Sequence, residues 1–198
     1  MLSYNDSLKI LKETNALLEG HFILSSGLHS KQYVQCAKLL SYPKKAFIIC
    51  ESLCKKINNQ FKNIDLVLSP AIGGIVVGYE IGRQLGLETI FAERVNNKLT
   101  LRRGFKIPKN SKVLVVEDVI TTGKSAIECH DLIKSSNAKL VGYACIIDRS
   151  NKNLLIKNKI VSQLKFEIET FKSNNVPIEL KKIKAIEPGS RNIHKWEI

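Results

Sequence analysis

The apolar positions of this 198-residue chain change their period along its length, and each change predicts an element. Residues 5–18 place Leu8 and Leu11, then Leu17 and Leu18, at helical spacing, and Gly20 follows as a helix terminus. Two short strands are expected within residues 20–40, on either side of a Ser25-Ser26-Gly27 turn. Pro43 stands at a first helical position and opens a helix through Ile57. From Ile64 the patterns alternate: strand 65–68, helix 74–85, strand 89–92, strand 112–116, helix 125–135, strand 140–147. Such alternation predicts a mostly parallel central sheet flanked by helices, hence an α/β protein. The β-branched run Val113-Leu114-Val115-Val116 suits a parallel strand buried on both faces. Beyond residue 150 the pattern is irregular and predicts no definite element.

Chemistry concentrates where that apolar run ends. Glu117 and Asp118 stand at the expected carboxyl end of the strand, where open α/β sheets bind ligands. Val119 and Ile120 follow, and then Thr121, Thr122, Gly123, Lys124 and Ser125 open a helix. Free N–H groups and hydroxyls at a helix start suit a phosphate. Two carboxylates beside it accept hydrogen bonds from vicinal hydroxyls, so the combined reading is a ribose 5-phosphate site. A strand-turn-helix with a threonine-capped helix would not need the acid pair. A Walker A loop fails on spacing, because the glycine wanted five residues before Gly123-Lys124 is Asp118. Lys124 reads either as a solvated lysine or as added charge near the phosphate.

Composition narrows the class. The length fits one domain with a full core, and 44% hydrophobic residues support a globular protein. No apolar run approaches the roughly 20 residues that span a bilayer, and the first residues lack the order of a secretion signal. The five cysteines, Cys36, Cys50, Cys54, Cys129 and Cys145, show no zinc-ligand rhythm and read as reduced core thiols, in keeping with a cytoplasmic protein. A net charge of +13, from 31 basic and 18 acidic residues, raises nucleic acid as a partner. The lysines are scattered over every helix and few aromatics interleave with them, which speaks against that role.

Three further segments carry candidate chemistry. Ser69-Pro70-Ala71-Ile72-Gly73-Gly74 is a second small-residue loop between strand and helix, and two such loops suit a ligand with phosphates at both ends. Residues 93–104 crowd Arg94, Lys98, Arg102 and Arg103 between Asn96-Asn97 and Gly104, which reads as a mobile loop or hairpin able to bring charge onto a leaving anion, or as a solvated basic hairpin. Arg149, after the strand next to the cradle, is placed to clamp a carboxylate, or else to pair with Asp148 on the surface.

The cradle resembles the phosphoribosyl pyrophosphate (PRPP) signature of the type I phosphoribosyltransferases. Most of the chain is similar to the orotate phosphoribosyltransferase family, in Gly20-His21-Phe22-Ile23-Leu24-Ser25-Ser26-Gly27, Pro70-Ala71-Ile72-Gly73-Gly74, Glu93-Arg94, Leu101-Arg102-Arg103-Gly104-Phe105, Asp148-Arg149 and Pro188-Gly189-Ser190-Arg191. The resemblance implies a type I phosphoribosyltransferase fold in a single domain, residues 1–198. It would comprise an N-terminal helix and small hood of N-terminal strands to about residue 40, an α/β core over about 60–150, and a C-terminal extension. It implies transfer of a phosphoribosyl group from PRPP to orotate, with Mg²⁺ held mainly by PRPP and water rather than directly by the protein. PRPP would be bound by Glu117, Asp118, Val119, Ile120, Thr121, Thr122, Gly123, Lys124 and Ser125, with Arg94 and Lys98 from a lid. Orotate would meet Thr121, Arg149 and Tyr33, the tyrosine and the Ser26-Gly27 turn forming the hood. Arg94, Lys98 and Asp118 would be catalytic. A homodimer sharing the lid across its interface is implied as well. Departures from the family are Ser25, where many members have lysine, Val95 and Thr100, where many have lysine and histidine, the 69–74 loop, which lacks a lysine that several members carry there, and Lys124, where a small residue is more common. A purine phosphoribosyltransferase and a PRPP-sensing nucleic-acid-binding regulator are the alternatives. His21 and His29 have no second histidine or acid at metal spacing and read as hydrogen-bonding hood residues.

Overall fold

The computed structural model of the protein describes residues 1–24 and 26–188. Ser25 and the Gly189-Ser190-Arg191 part of the C-terminal motif lie outside them.

The first helix, α1 (Tyr4–Glu13), starts at a Ser3 cap whose hydroxyl accepts the Asp6 N–H at 3.1 Å. It stops five residues earlier than the sequence pattern suggests. Asn15 turns left-handed at φ 52°, a conformation asparagine tolerates, and the amides of Asn15 and Ala16 return to Lys12 and Leu11 carbonyls. Leu17 and Leu18 therefore belong to strand β1 (Leu17–Ile23), and Gly20 sits within that strand instead of closing a helix. Strand β1 pairs antiparallel with β2 (His29–Val34), as expected for the hood. Helices α2 (Cys36–Leu40) and α3 (Pro43–Gln60) lead to the core.

The core runs β3 (Leu66–Pro70), α4 (Gly73–Leu85), β4 (Glu88–Val95), β5 (Lys98–Leu101), β6 (Lys112–Ile120), α5 (Lys124–Ser135), β7 (Lys139–Asp148) and β8 (Ile160–Lys165). The six-stranded sheet has the order β5-β4-β3-β6-β7-β8, parallel except for β5. Alternate residues of its central strands face two cores. Val67, Leu114, Val116 and Ala144 meet α3 and α4, while Leu66, Leu68, Val113 and Val115 meet α5. Helices on both faces explain why these strands read as unbroken apolar runs.

The irregular last third contributes elements that the pattern did not reveal. Strand β8 completes the sheet, its period obscured by a buried Gln163 whose amide donates to Ser7 Oγ at 2.8 Å. Strand β9 (Thr170–Phe171) joins the far side of β2, and helix α6 (Ile178–Lys181) follows. The hood is thus three-stranded and takes its third strand from the C-terminal extension. Ile186 also bridges to Phe22, accepting from Ile23 N at 2.8 Å.

Candidate active site

Strand order decides where a ligand can sit. Successive core strands run outward from β3 to β4 on one side and from β6 to β7 on the other, so the topology reverses between adjacent β3 and β6. A crevice opens at the carboxyl ends of strands at such a point. The two small-residue loops, 69–74 and 117–125, meet there. A Cβ added to Gly73 would lie 2.8 Å from both carboxylate oxygens of Asp118, so the backbone of the first loop rests directly on this acid. Only glycine permits that approach.

The two acids are desolvated. Burial, together with the Asp118 charge beside it, raises Glu117 from 4.5 to about 8. Asp118 is also raised by burial, although the Val119 N–H donating to its Oδ1 at 2.9 Å works against this. Neither forms an ion pair among the described residues. Both are therefore primed to accept donors or a positive charge from a ligand. Ile120 is buried in the second core and anchors the strand end.

Thr121 and Thr122 are exposed, and Gly123 turns left-handed at φ 77° to start α5, which no described side chain caps. The first-turn amides of α5, with Lys124 exposed and Ser125 half-buried beside them, form a positive helix end. The cradle is braced from the next loops: Leu155 N donates to Thr122 O at 2.9 Å and Arg149 N to Ile120 O at 2.8 Å. Ile156 packs under Gly123, where a Cβ would lie 2.7 Å from its Cδ1 and Cγ1. Nothing in the sequence near residue 156 signals this support.

Arg149 and Tyr33 lie on segments that both reach the end of β6: Arg149 N donates to Ile120 O at 2.8 Å, and Cys36, three residues after Tyr33, donates its thiol to Asp118 O at 3.9 Å. Burial lowers the Arg149 pKa, partly offset by Tyr33, and Tyr33 is raised by burial while sensing both Arg149 and Asp118. Arg149 Nε is buried without a hydrogen-bond partner among the described residues, a donor suited to an incoming carboxylate. Asp148 does not pair with it. That acid is buried, accepts Ser150 N at 2.8 Å and meets Lys165 Nζ at 3.4 Å. In the hood, Phe22 packs against Tyr33 with ring centroids 5.8 Å apart. His21 Nδ1 donates to Ile183 O at 3.0 Å, which leaves its Nε2 to accept from His29 Nδ1 at 2.6 Å. The paired histidines are hydrogen-bonding hood residues, as the sequence suggested.

The basic segment is an ordered hairpin. Strands β4 and β5 pair from Ala92↔Leu101 to Val95↔Lys98 around Asn96 and Asn97, both at positive φ, and Leu99 is buried in the second core. Lys98 is exposed beside the hairpin tip. Arg103 is engaged bidentately by Glu93, at 3.0 and 2.9 Å. Arg94 reaches Glu128 of α5 at 2.9 Å. Glu128 was not singled out in the sequence, where a helical glutamate one turn past the cradle looks like any solvated charge.

A strand-borne acid pair, a helix start that no described side chain caps and a small-residue loop lying on the acids meet at one edge of the sheet. The chain belongs to the phosphoribosyltransferase family: residues 40–182 match the phosphoribosyl transferase domain. It is 46% identical over 184 residues to the orotate phosphoribosyltransferase of Caldicellulosiruptor bescii, covering 93% of this chain and 96% of that one. Its fold is shared by the orotate phosphoribosyltransferase of Aeropyrum pernix, with a TM-score of 0.70 at 22% identity over 80% of this chain and 92% of that one. The adenine phosphoribosyltransferase of Thermoanaerobacter pseudethanolicus superposes at 0.59 with 17% identity, over 68% of this chain and 88% of that one.

Proposed function

We infer that the chain is a phosphoribosyltransferase acting on orotate. It transfers the 5-phosphoribosyl group of PRPP to the base, giving orotidine 5'-monophosphate and pyrophosphate in pyrimidine biosynthesis. The observation that carries this reading, beside the 46% identical relative, is Arg149: its Nε is buried with no hydrogen-bond partner among the described residues, and its backbone N–H donates to Ile120 O at the end of the strand that carries Glu117 and Asp118. A cationic fork with such an N–H suits orotate's carboxylate, and the acids on the neighbouring strand suit ribose hydroxyls.

The transfer needs no covalent nucleophile. As the anomeric C–O bond breaks, its electron pair leaves with pyrophosphate and the ribose carbon becomes electron-poor before the base nitrogen bonds to it. The work of the protein is therefore electrostatic. Glu117 and Asp118 hold the ribose hydroxyls, contacts that strengthen as positive charge develops. Residues 121–125 fix the 5-phosphate, Thr121 also reaches the base, and the loop 69–74 receives pyrophosphate. Arg94 and Lys98 add positive charge to the leaving group.

Two desolvated acids without a cationic partner fit a Mg²⁺ ion carried in on PRPP. The oxygens of PRPP and water would supply most of its ligands. When bound, the ion neutralises the charge of pyrophosphate.

A homodimer with Lys98 reaching the neighbouring site is part of the proposal. It is supported by an exposed apolar face next to the crevice, with Ile72 85% and Tyr79 65% exposed and Val76 between them. We take residues 1–198 as one domain. No described helix is long and apolar enough to cross a membrane, and five buried free cysteines support a reducing, cytoplasmic setting. Orotate consumption, followed spectrophotometrically with PRPP and Mg²⁺ beside adenine, guanine and xanthine, tests the reading. Turnover of orotate alone is expected, and a preference for a purine would overturn it.

A further inference from the structure

We propose that Glu128 is a positioning residue for phosphoribosyl transfer, one that fastens the basic hairpin to the cradle helix and orients Arg94 for pyrophosphate; this rests on the reading above. Glu128 lies four residues after Lys124, one turn along α5 from the phosphate-binding end. Its Oε2 is 2.9 Å from Arg94 Nη1 and also accepts the Leu99 N–H at 3.3 Å, while Oε1 is 3.4 Å from the same Nη1. One carboxylate thus holds both strands of the hairpin. Arg94 sits on β4 and Leu99 on β5, and α5 carries the acid that joins them.

The arginine is oriented without being used up. Its second contact, to Asn97 O at 2.7 Å, also runs through Nη1. Both Nη1 hydrogens are therefore engaged, and Nε and Nη2 have no hydrogen-bond partner among the described residues. A phosphate can be gripped by that remaining edge of the fork. Arg103 contrasts with it, since Glu93 occupies its Nε and Nη2 together. Of the two arginines held by acids in this segment, Arg94 alone keeps a binding edge open. It also stands at the ligand-bearing end of the sheet, two residues beyond Ala92, which pairs with Pro70 at the carboxyl end of β3. A glutamate serving only as a hairpin tether would need its hydrogen bonds but not its charge.

Glu128→Gln separates these roles, because the amide oxygen still accepts from Leu99 N–H while the charge that holds the guanidinium is lost. Binding of magnesium pyrophosphate by calorimetry, KM for PRPP and for orotate, kcat and the urea midpoint are measured on Glu128→Gln, Glu128→Asp, Arg94→Ala and the Arg94→Ala/Glu128→Gln pair. Loss of a charge-assisted contact should weaken pyrophosphate binding and raise KM for PRPP about tenfold. The orotate KM and urea midpoint should hold, Glu128→Asp should recover part of the loss, and Glu128→Gln should add almost nothing once Arg94 is alanine. Wild-type pyrophosphate affinity in Glu128→Gln, or a full effect persisting without Arg94, overturns the proposal. Should the wild type bind pyrophosphate with this pattern yet ignore orotate, the choice of base fails and Glu128 stands. Turnover of orotate by an unperturbed Glu128→Gln sinks Glu128 alone.

Discussion

Gly123→Ala is the substitution for which the structure sets two separate costs. The backbone there is left-handed at φ 77°, which an L-residue adopts at about 1 kcal/mol or somewhat more. The new methyl would also stand 2.7 Å from Cδ1 and Cγ1 of Ile156, which is buried in the second core and has little room to retreat. Overpacking of this kind costs about 1–3 kcal/mol, and lower entropy of the unfolded chain returns about 0.5 kcal/mol. The net expectation is a loss of about 2–4 kcal/mol in urea unfolding. Activity should suffer further, because Gly123 sets the first turn of α5 and the Leu155–Thr122 hydrogen bond braces the loop, so kcat/KM for PRPP should fall on the order of tenfold or more. A double-mutant cycle separates the costs: with Ile156→Ala already in place, the alanine should cost only the backbone part, about 1 kcal/mol. A Gly123→Ala protein within about 0.5 kcal/mol of wild type and kinetically normal would refute both the strain and the clash.

Asp118→Asn should leave the fold intact and lower kcat on the order of 10²-fold or more, since it weakens a ribose contact that strengthens with developing charge; near-normal turnover in a folded variant removes Asp118 from the site. Arg149→Ala should raise KM for orotate far more than for PRPP, and equal effects would give it a general supporting role. Glu117 binds its proton more tightly folded than unfolded, so the ligand-free protein should lose stability as pH rises from about 4.5 through about 8. Urea unfolding across that range should show a shallower decline in Glu117→Gln, and an unchanged slope would mean the decline comes from elsewhere. Mixing inactive Lys98→Ala with inactive Asp118→Asn subunits should restore roughly a quarter of wild-type activity if Lys98 works across the dimer, because half the reassorted dimers then hold one intact site; no recovery in demonstrably mixed dimers places Lys98 in its own site.

The local chemistry of the cradle was legible in the sequence, because acids, threonines and glycine are contiguous there and strand and helix periods flank them. The hood pair β1–β2, the helix opened by Pro43 and the Asn96-Asn97 hairpin were legible for the same reason: each is a short-range pattern. The extent of α1 was misread since Leu17 and Leu18 keep a helical spacing that the left-handed Asn15 interrupts. Tertiary structure alone decided what depends on distant residues. The adjacency of β3 and β6 turned two separate loops into one crevice and set Gly73 on Asp118. β9 and Ile186 completed the hood, and Ile156 came to support Gly123. Burial raised Glu117 and Asp118, and Glu128 tied Arg94 to the cradle helix. Sequence patterns record how each residue relates to its near neighbours, whereas desolvation and contact across a sheet are properties of chain segments that meet only after folding.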